Sequence, residues 1–147
     1  MATVDYSTLR QRFSSTISTL TGFEESRNPY DGQGRSPNTI AHQMYSVGIR
    51  ASSAQDADRQ RKSDGVMVST EVTVRYYYRI KPKDQLDSYD DGMDSANLVI
   101  KTLTNRSAPL HTDTQVRFSS MANELTDSGE WLTVILTFTV THQINIS

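Results

Sequence analysis

The feature that most constrains this chain is an alternation of side chains that runs for fifteen residues, from 66 to 80. A repeat of two residues predicts a β-strand with one mainly apolar face, and Pro82 ends it. At ~3.3 Å per residue the strand spans about 50 Å. A domain of this size has a radius of gyration of about 15 Å. We therefore expect the strand to run past the core of its own subunit.

The rest of the chain divides into elements with ordinary signals. Apolar residues three and four apart predict helices at 5–20 and 88–103, and alternation predicts strands at 43–52, 114–121 and 131–142. The order α-β-β-α-β-β predicts a two-layer α+β fold, with two helices on one face of a four-stranded, mainly antiparallel sheet. We expect a single domain, 1–147. The polar segment 52–65 is predicted to be the tip of an extended β-hairpin arm.

Composition excludes several classes of protein. The net charge is −2, so the molecule as a whole is not a binder of nucleic acid or of acidic membranes. No cysteine is present, which removes disulfides, thiolate nucleophiles and zinc–thiolate sites. The first residues carry no secretory signal pattern, and no apolar run reaches the ~18 residues of a membrane span. We expect synthesis and use in a cytoplasm.

Catalytic and cofactor motifs are missing from the sequence. No phosphate-binding glycine loop and no nucleophile elbow is present. An acidic cluster at 84–94 fails as a calcium loop, because Leu98 stands where a bidentate carboxylate is needed. His42, His111 and His142 lie in three different elements, without ligand spacing. The sequence therefore predicts a non-enzyme that binds no cofactor and no metal.

The second face of the predicted sheet is polar but carries few charges. Such a face can contact a partner without desolvating many ions. It also fits the solvent side of a one-sided antiparallel sheet, so two interpretations are open. The overlong strand favours assembly. The predicted contacts with a neighbouring subunit or a partner are Arg59, Arg61 and Lys62 at the arm tip, and Arg75, Tyr77 and Arg79 on the outer face.

The layout resembles that of the tail terminator proteins of long-tailed bacteriophages. The pieces that carry the resemblance are "YSTLRQRFSSTISTL", "VMVSTEVTVRYYYRI", "SANLVIKTL" and "WLTVILTFTV". The resemblance implies a structural virion protein at the head–tail junction. Its copies form a ring, expected to be a hexamer, on the last ring of the tail tube. The ring stops growth of the tube and offers a surface to the neck, or head-completion, protein.

In such a ring, DNA passes through the bore without sequence-specific binding. A neutral or acidic lining favours sliding, because a basic lining would hold phosphates. The acidic residues that we expect to face the bore are Asp87, Asp90 and Asp91.

Three alternatives stay open at this point. One is another head–tail connector, neck or tail-tube protein, which differs in ring size and partner. A second is a small cytoplasmic α+β ligand-binding domain or enzyme, which predicts a concave pocket with converging polar groups. A third is a single-stranded nucleic-acid binder, which predicts exposed aromatic side chains along the strands.

Overall fold

A computed structural model describes residues 2–26, 42–55, 65–126 and 129–146, together with the backbone of 61–62. These described residues form two helices and six strands, in agreement with the predicted α+β class. In chain order these are α1 (Tyr6–Ile17), β1 (Glu24–Glu25), β2 (Met44–Ala54), β3 (Arg61–Lys62), β4 (Gly65–Arg79), α2 (Gln85–Leu103), a 3₁₀ turn (Pro109–His111), β5 (Gln115–Leu125) and β6 (Trp131–Asn145). Residues 27–41, between β1 and β2, lie outside the described residues.

The sheet has the strand order β1-β2-β4-β6-β5, and β3 pairs with β4. The four long strands are antiparallel, as predicted. The prediction of four strands is nevertheless incomplete, because β1 and β3 add two residues each and β1 runs parallel to β2. Two-residue strands are too short to show a periodicity in the sequence.

Strands β4 and β6 form the centre of the sheet. Each has 15 residues, and they pair without a register shift from Gly65↔Asn145 to Arg79↔Trp131. Every second side chain points to the helices, which buries Val72, Val74 and Phe138 completely. The register is fixed because a slip by one residue would turn these apolar side chains to the other face.

The structure describes part of the predicted β-hairpin arm. Residues 52–54, expected in the arm loop, belong to β2, and residues 61–62 pair with β4. On the helix side, β4 is already buried from Val68, which is 4% exposed. The length of β4 does not indicate a projecting strand, because β6 is equally long. In addition, α1 and the segment before it cover the end of the sheet where β4 begins. Residues 56–60 and 63–64 lie outside the described residues.

The helices bury one apolar stripe each against the sheet. Leu9, Phe13 and Ile17 of α1 are fully buried, and the ring of Phe13 lies 5.7 Å from that of Phe138, edge to face. Helix α2 approaches the sheet closely at Gly92, where an added Cβ would lie 2.8 Å from a methyl group of Leu132 in β6.

Buried hydroxyl groups in the core are paired. The hydroxyl of Tyr45 donates to the carbonyl oxygen of Ser14 at 2.9 Å, and that of Tyr76 lies 2.8 Å from Ser95 Oγ. Tyr76 and Tyr78 face the helices, as the alternation predicted.

Candidate subunit interface

Strand β5 is the least covered of the four long strands. Ten of its 11 residues are exposed, and the other, Val116, is half-buried. Phe118 and Met121 are each 40% exposed and Leu125 is 55% exposed. These three residues pair with Phe138, Leu136 and Leu132 of β6, whose side chains are buried under the helices. The exposed apolar residues of β5 therefore line the helix side of the sheet, beside the core.

The helices leave β5 open because of where they lie across the sheet. Helix α1 packs against β2 and α2, and the flank of α2 with Thr102 and the following Asn105 borders a cleft toward α1. The opposite flank of α2, with Tyr89, Met93 and Ile100, therefore turns toward β5. Helix α2 and the apolar residues of β5 thus lie on the same side of the sheet, and we call the region between them the β5 groove.

The backbone edge of β5 is also open. Within the part of the chain that the structure describes, β5 pairs only with β6. An 11-residue edge strand presents a row of unpaired N–H and C=O groups, which is a template for another strand. Natural proteins protect such edges with charges or bulges. Strand β5 has a bulge at Ser119 and two charges, Arg117 and Glu124.

The outer face of the sheet, away from the helices, is half-exposed and mostly uncharged. On β6 it presents Thr133, Ile135, Thr137, Thr139 and Thr141, all half-buried. On β4 it carries Glu71 and Arg75. The carboxylate of Glu71 forms a solvent-exposed ion pair with Arg50 of β2 at 3.4 Å. This face combines β-forming side chains with a low density of charge, as predicted.

The predicted contact residues on the outer face differ in accessibility. Arg75 is half-buried on that face, and Arg79 is exposed, with its guanidinium carbon 5.9 Å from the centre of the Trp131 ring. Tyr77 requires a correction, because its side chain is only 3% exposed. A residue buried within its own subunit is not an open contact for a neighbour. Alternation assigned Tyr77 to the correct face but could not show what covers it.

The predicted contacts at the arm tip are only partly described. Arg59 lies outside the described residues. Arg61 and Lys62 form β3, whose backbone pairs with Val66 and Gly65. The structure therefore extends the sheet at this point, and it describes nothing of the two side chains.

The predicted bore-facing acids lie on the first turns of α2. Asp87, Asp90 and Asp91 are all exposed there, away from β5. Asp87 and Asp91 border a cleft that also contains Lys81 and His42. Partial burial and the positive charge of Lys81 lower the pKa of His42. These acids therefore belong to a mixed-charge surface.

The exposed apolar residues of β5 were missed by the sequence argument, which ended the strand at 121. The reason is the bulge. The alternation of Val116 and Phe118 is interrupted by one extra serine and then resumes in the opposite phase at Met121, Asn123 and Leu125. An alternation that resumes after a one-residue shift is the signal that would have extended the strand.

The structure also shows one sizeable cleft between the helices. It has a volume of about 590 Å³, and five of its eleven lining residues bear a hydroxyl group: Thr8, Ser15, Thr16, Thr19 and Thr102. Its arginine, Arg12, donates to the carbonyl oxygen of Thr112 at 2.5 Å. The described residues contain no group of three His, Asp or Glu side chains placed to hold a metal ion. None of the described helices is both long enough and apolar enough to cross a membrane.

Comparison with known proteins adds no relative to this description: no protein-family model and no curated protein matches the chain.

Proposed function

We propose that this protein is a structural subunit of a bacteriophage tail, a tail terminator whose copies form a ring on the end of the tail tube. The observation that carries the proposal is β5, an exposed 11-residue edge strand with Phe118, Met121 and Leu125 beside an open backbone edge. A subunit that stayed alone in solution would leave both the β5 groove and the edge uncovered. Exposed apolar surface of this kind marks a site of protein association.

The outer face supports the same proposal. Its row of threonines on β6 offers a broad surface that a partner can cover at a low cost in desolvated charge. The length of β4 does not support the proposal, since β6 is equally long and the helix side of β4 is covered from Val68 onward. The proposal therefore rests on β5 and on the outer face.

The mechanism of a terminator is steric and thermodynamic. Contacts between two different surfaces of neighbouring copies close into a ring when the rotation between copies closes, and six copies are the expected number. One side of the ring binds the last ring of the tail tube protein, and the other binds the neck or head-completion protein. Growth stops because that second side lacks the surface that another tube ring needs.

DNA passes through the bore of the proposed ring. Asp87, Asp90 and Asp91 are the proposed lining, because exposed carboxylates repel phosphates and allow sliding. No cofactor or metal takes part, and the place of action is the head–tail junction of the virion.

A second candidate is a small ligand-binding domain that uses the cleft between α1 and α2. The volume of about 590 Å³ is sufficient for a small molecule. The described residues that line it include no histidine or carboxylate, and Arg12 donates to the carbonyl oxygen of Thr112. The ring proposal is favoured because it accounts for the uncovered strand, which the ligand-binding proposal leaves unexplained.

The test is sedimentation velocity with electron microscopy of the purified protein, over a range of concentrations and with added tail tubes. The tubes are assembled from a purified tail tube protein. We expect rings at high concentration or on tube ends. The variant Met121→Lys should lose the rings, because it places a charge in the β5 groove. The matched control is Leu98→Lys, at an equally accessible leucine (47% exposed) on the flank of α2 away from β5, and it should keep them. A wild-type protein that is monomeric under every condition, tubes included, refutes the proposal.

A further inference from the structure

The sheet has a second open edge, opposite to β5. Beyond Tyr45, no strand among the described residues pairs with the edge of β2 that lies away from β4. Residues 48–49 of β2 are half-exposed and residues 50–54 are exposed. Among the described residues, both edges of one subunit are therefore left unpaired over segments of similar length, 48–54 and 116–122.

The directions of the two edge strands are complementary. The four long strands alternate in direction across the sheet, so that β2 and β5 run antiparallel to each other. A neighbour that repeats the strand directions of the first copy therefore brings its β2 edge antiparallel to the β5 edge. Such a contact uses two different surfaces, as a closed ring requires.

Each edge strand contains one bulge, and both bulges turn their extra residue to the outer face. In β2 the extra residue is Arg50, whose guanidinium reaches Glu71 on that face. In β5 it is Ser119, whose hydroxyl lies 2.6 Å from Thr139 Oγ1 on that face. A bulge shifts the alternation of side chains along its strand. A partner strand without a bulge would therefore have its side chains on the opposite faces beyond that point.

The two bulges match in a single antiparallel register. With Ile49 opposite Met121, helix-side residues face helix-side residues and outer residues face outer residues through the bulges. The facing pairs are Gly48–Ala122, Ile49–Met121, Arg50–Ser120, Ala51–Ser119, Ser52–Phe118, Ser53–Arg117 and Ala54–Val116. A register shift by one residue would place helix-side residues of one strand opposite outer-face residues of the other. A shift by two residues would no longer place the two bulges opposite each other. No like charges stand opposite each other in the matched register.

We propose that the β5 edge of one copy pairs with the β2 edge of a second copy in this register. The contact extends the sheet from one subunit into the next. It covers the open backbone groups and packs Met121 against Ile49. The inference rests on the ring proposal and specifies which surfaces of the subunit close the ring.

The test uses cysteine pairs, which is direct because the natural chain contains no cysteine. The double variant Ser53→Cys with Arg117→Cys places thiols on facing positions of neighbouring copies. Under mild oxidation it should give a ladder of covalent oligomers on a non-reducing gel. A mixture of the two single variants should give dimers only, since each copy then carries one thiol.

The matched control pairs Ser53→Cys with Ala122→Cys. Both positions are exposed on the outer face, but Ala122 lies five residues from the facing position, about 17 Å away. A disulfide needs Cα atoms within about 7 Å, so linking should be at least about ten-fold slower than in the matched pair.

The outcomes separate this inference from the ring proposal. Rings seen by microscopy without a ladder from Ser53→Cys with Arg117→Cys overturn the edge pairing and leave the ring proposal standing. Linking of either single variant alone also overturns it, because it indicates a symmetric contact. A protein that forms neither rings nor ladders, with an unchanged circular dichroism spectrum, overturns both.

Discussion

His142 is expected to make the stability of this protein depend on pH. Its side chain is fully buried, and Nδ1 lies 2.7 Å from the carbonyl oxygen of Val4. A carbonyl oxygen can only accept a hydrogen bond, so Nδ1 of His142 carries the proton. Nε2 then accepts from the hydroxyl of Thr70, also at 2.7 Å. The neutral ring is therefore fully hydrogen-bonded and joins the N-terminal segment to β4 and β6.

Burial lowers the pKa of His142 below its ordinary value of 6.5, although the carbonyl of Val4 and the charge of Asp5 oppose the shift. The ring of Tyr6 covers it edge-on at 5.8 Å. Because the folded-state pKa is the lower one, the unfolded chain takes up the proton first as the pH falls. The contribution of His142 to stability is complete above pH 6.5, and it is lost as the pH falls from there toward the folded pKa.

The size of the effect is limited by a single proton. The free energy of unfolding changes by at most about 1.4 kcal/mol per pH unit for one group. Between pH of about 7.5 and about 5.5, with the folded ring neutral, the loss sums to at most about 1.4 kcal/mol. With a urea m-value of about 1–3 kcal/mol/M, the unfolding midpoint should fall by up to about 0.5–1.4 M.

The assay is urea unfolding followed by the fluorescence of Trp131, the only tryptophan, which is 8% exposed in the folded chain. His142→Gln removes the titrating group. The variant should be less stable at pH 7.5, yet it should lose less stability on acidification than the wild type. His42→Asn is the control at an exposed histidine, and it should keep most of the wild-type pH dependence. If wild type and His142→Gln show the same change in midpoint between the two pH values, the reasoning about the buried ring is wrong.

Further predictions follow from single sites and are measured by the same unfolding assay. Thr70→Val should cost about 1–3 kcal/mol because it leaves Nε2 of buried His142 without a donor, and Thr70→Ser should cost less; equal losses in both variants would contradict this. Phe13→Ala should cost about 3–5 kcal/mol, since its ring is fully buried against that of Phe138, and a loss below about 1 kcal/mol would argue against the described core. Gly129→Ala should cost about 1–2 kcal/mol through backbone strain alone, because its φ is +72° and no atom lies within 4 Å of the added Cβ; an unchanged midpoint would refute that origin.

Sequence reasoning recovered the long elements because their signals are local. The periods of helix and strand depend only on neighbouring residues, and for β4 the predicted bounds 66–80 differ from the observed Gly65–Arg79 by one residue at each end. The second helix was predicted three residues too short, because Gln85 and Leu86 are exposed on its first turn and do not join the apolar stripe. The short strands β1 and β3 were missed because they exist only through their partners.

The candidate interface was less predictable. The outer face of the sheet followed from alternation, but Tyr77 on that face is covered by its own subunit. The exposed residues of β5 were hidden by the bulge at Ser119, which breaks the pattern on which the prediction relied. Function itself stays a proposal, supported by the exposed surface of β5.

The sequence alone determined which segments are helices and strands, and which side of each strand is apolar, because these properties come from the spacing of side chains along one chain. It did not determine that β6 would match β4 over its full length, or that β5 would be left at the edge. Those features depend on which strands pair and on where two helices fit across the sheet. Only the tertiary structure decides them, since burial is a property of neighbours that are distant in the chain.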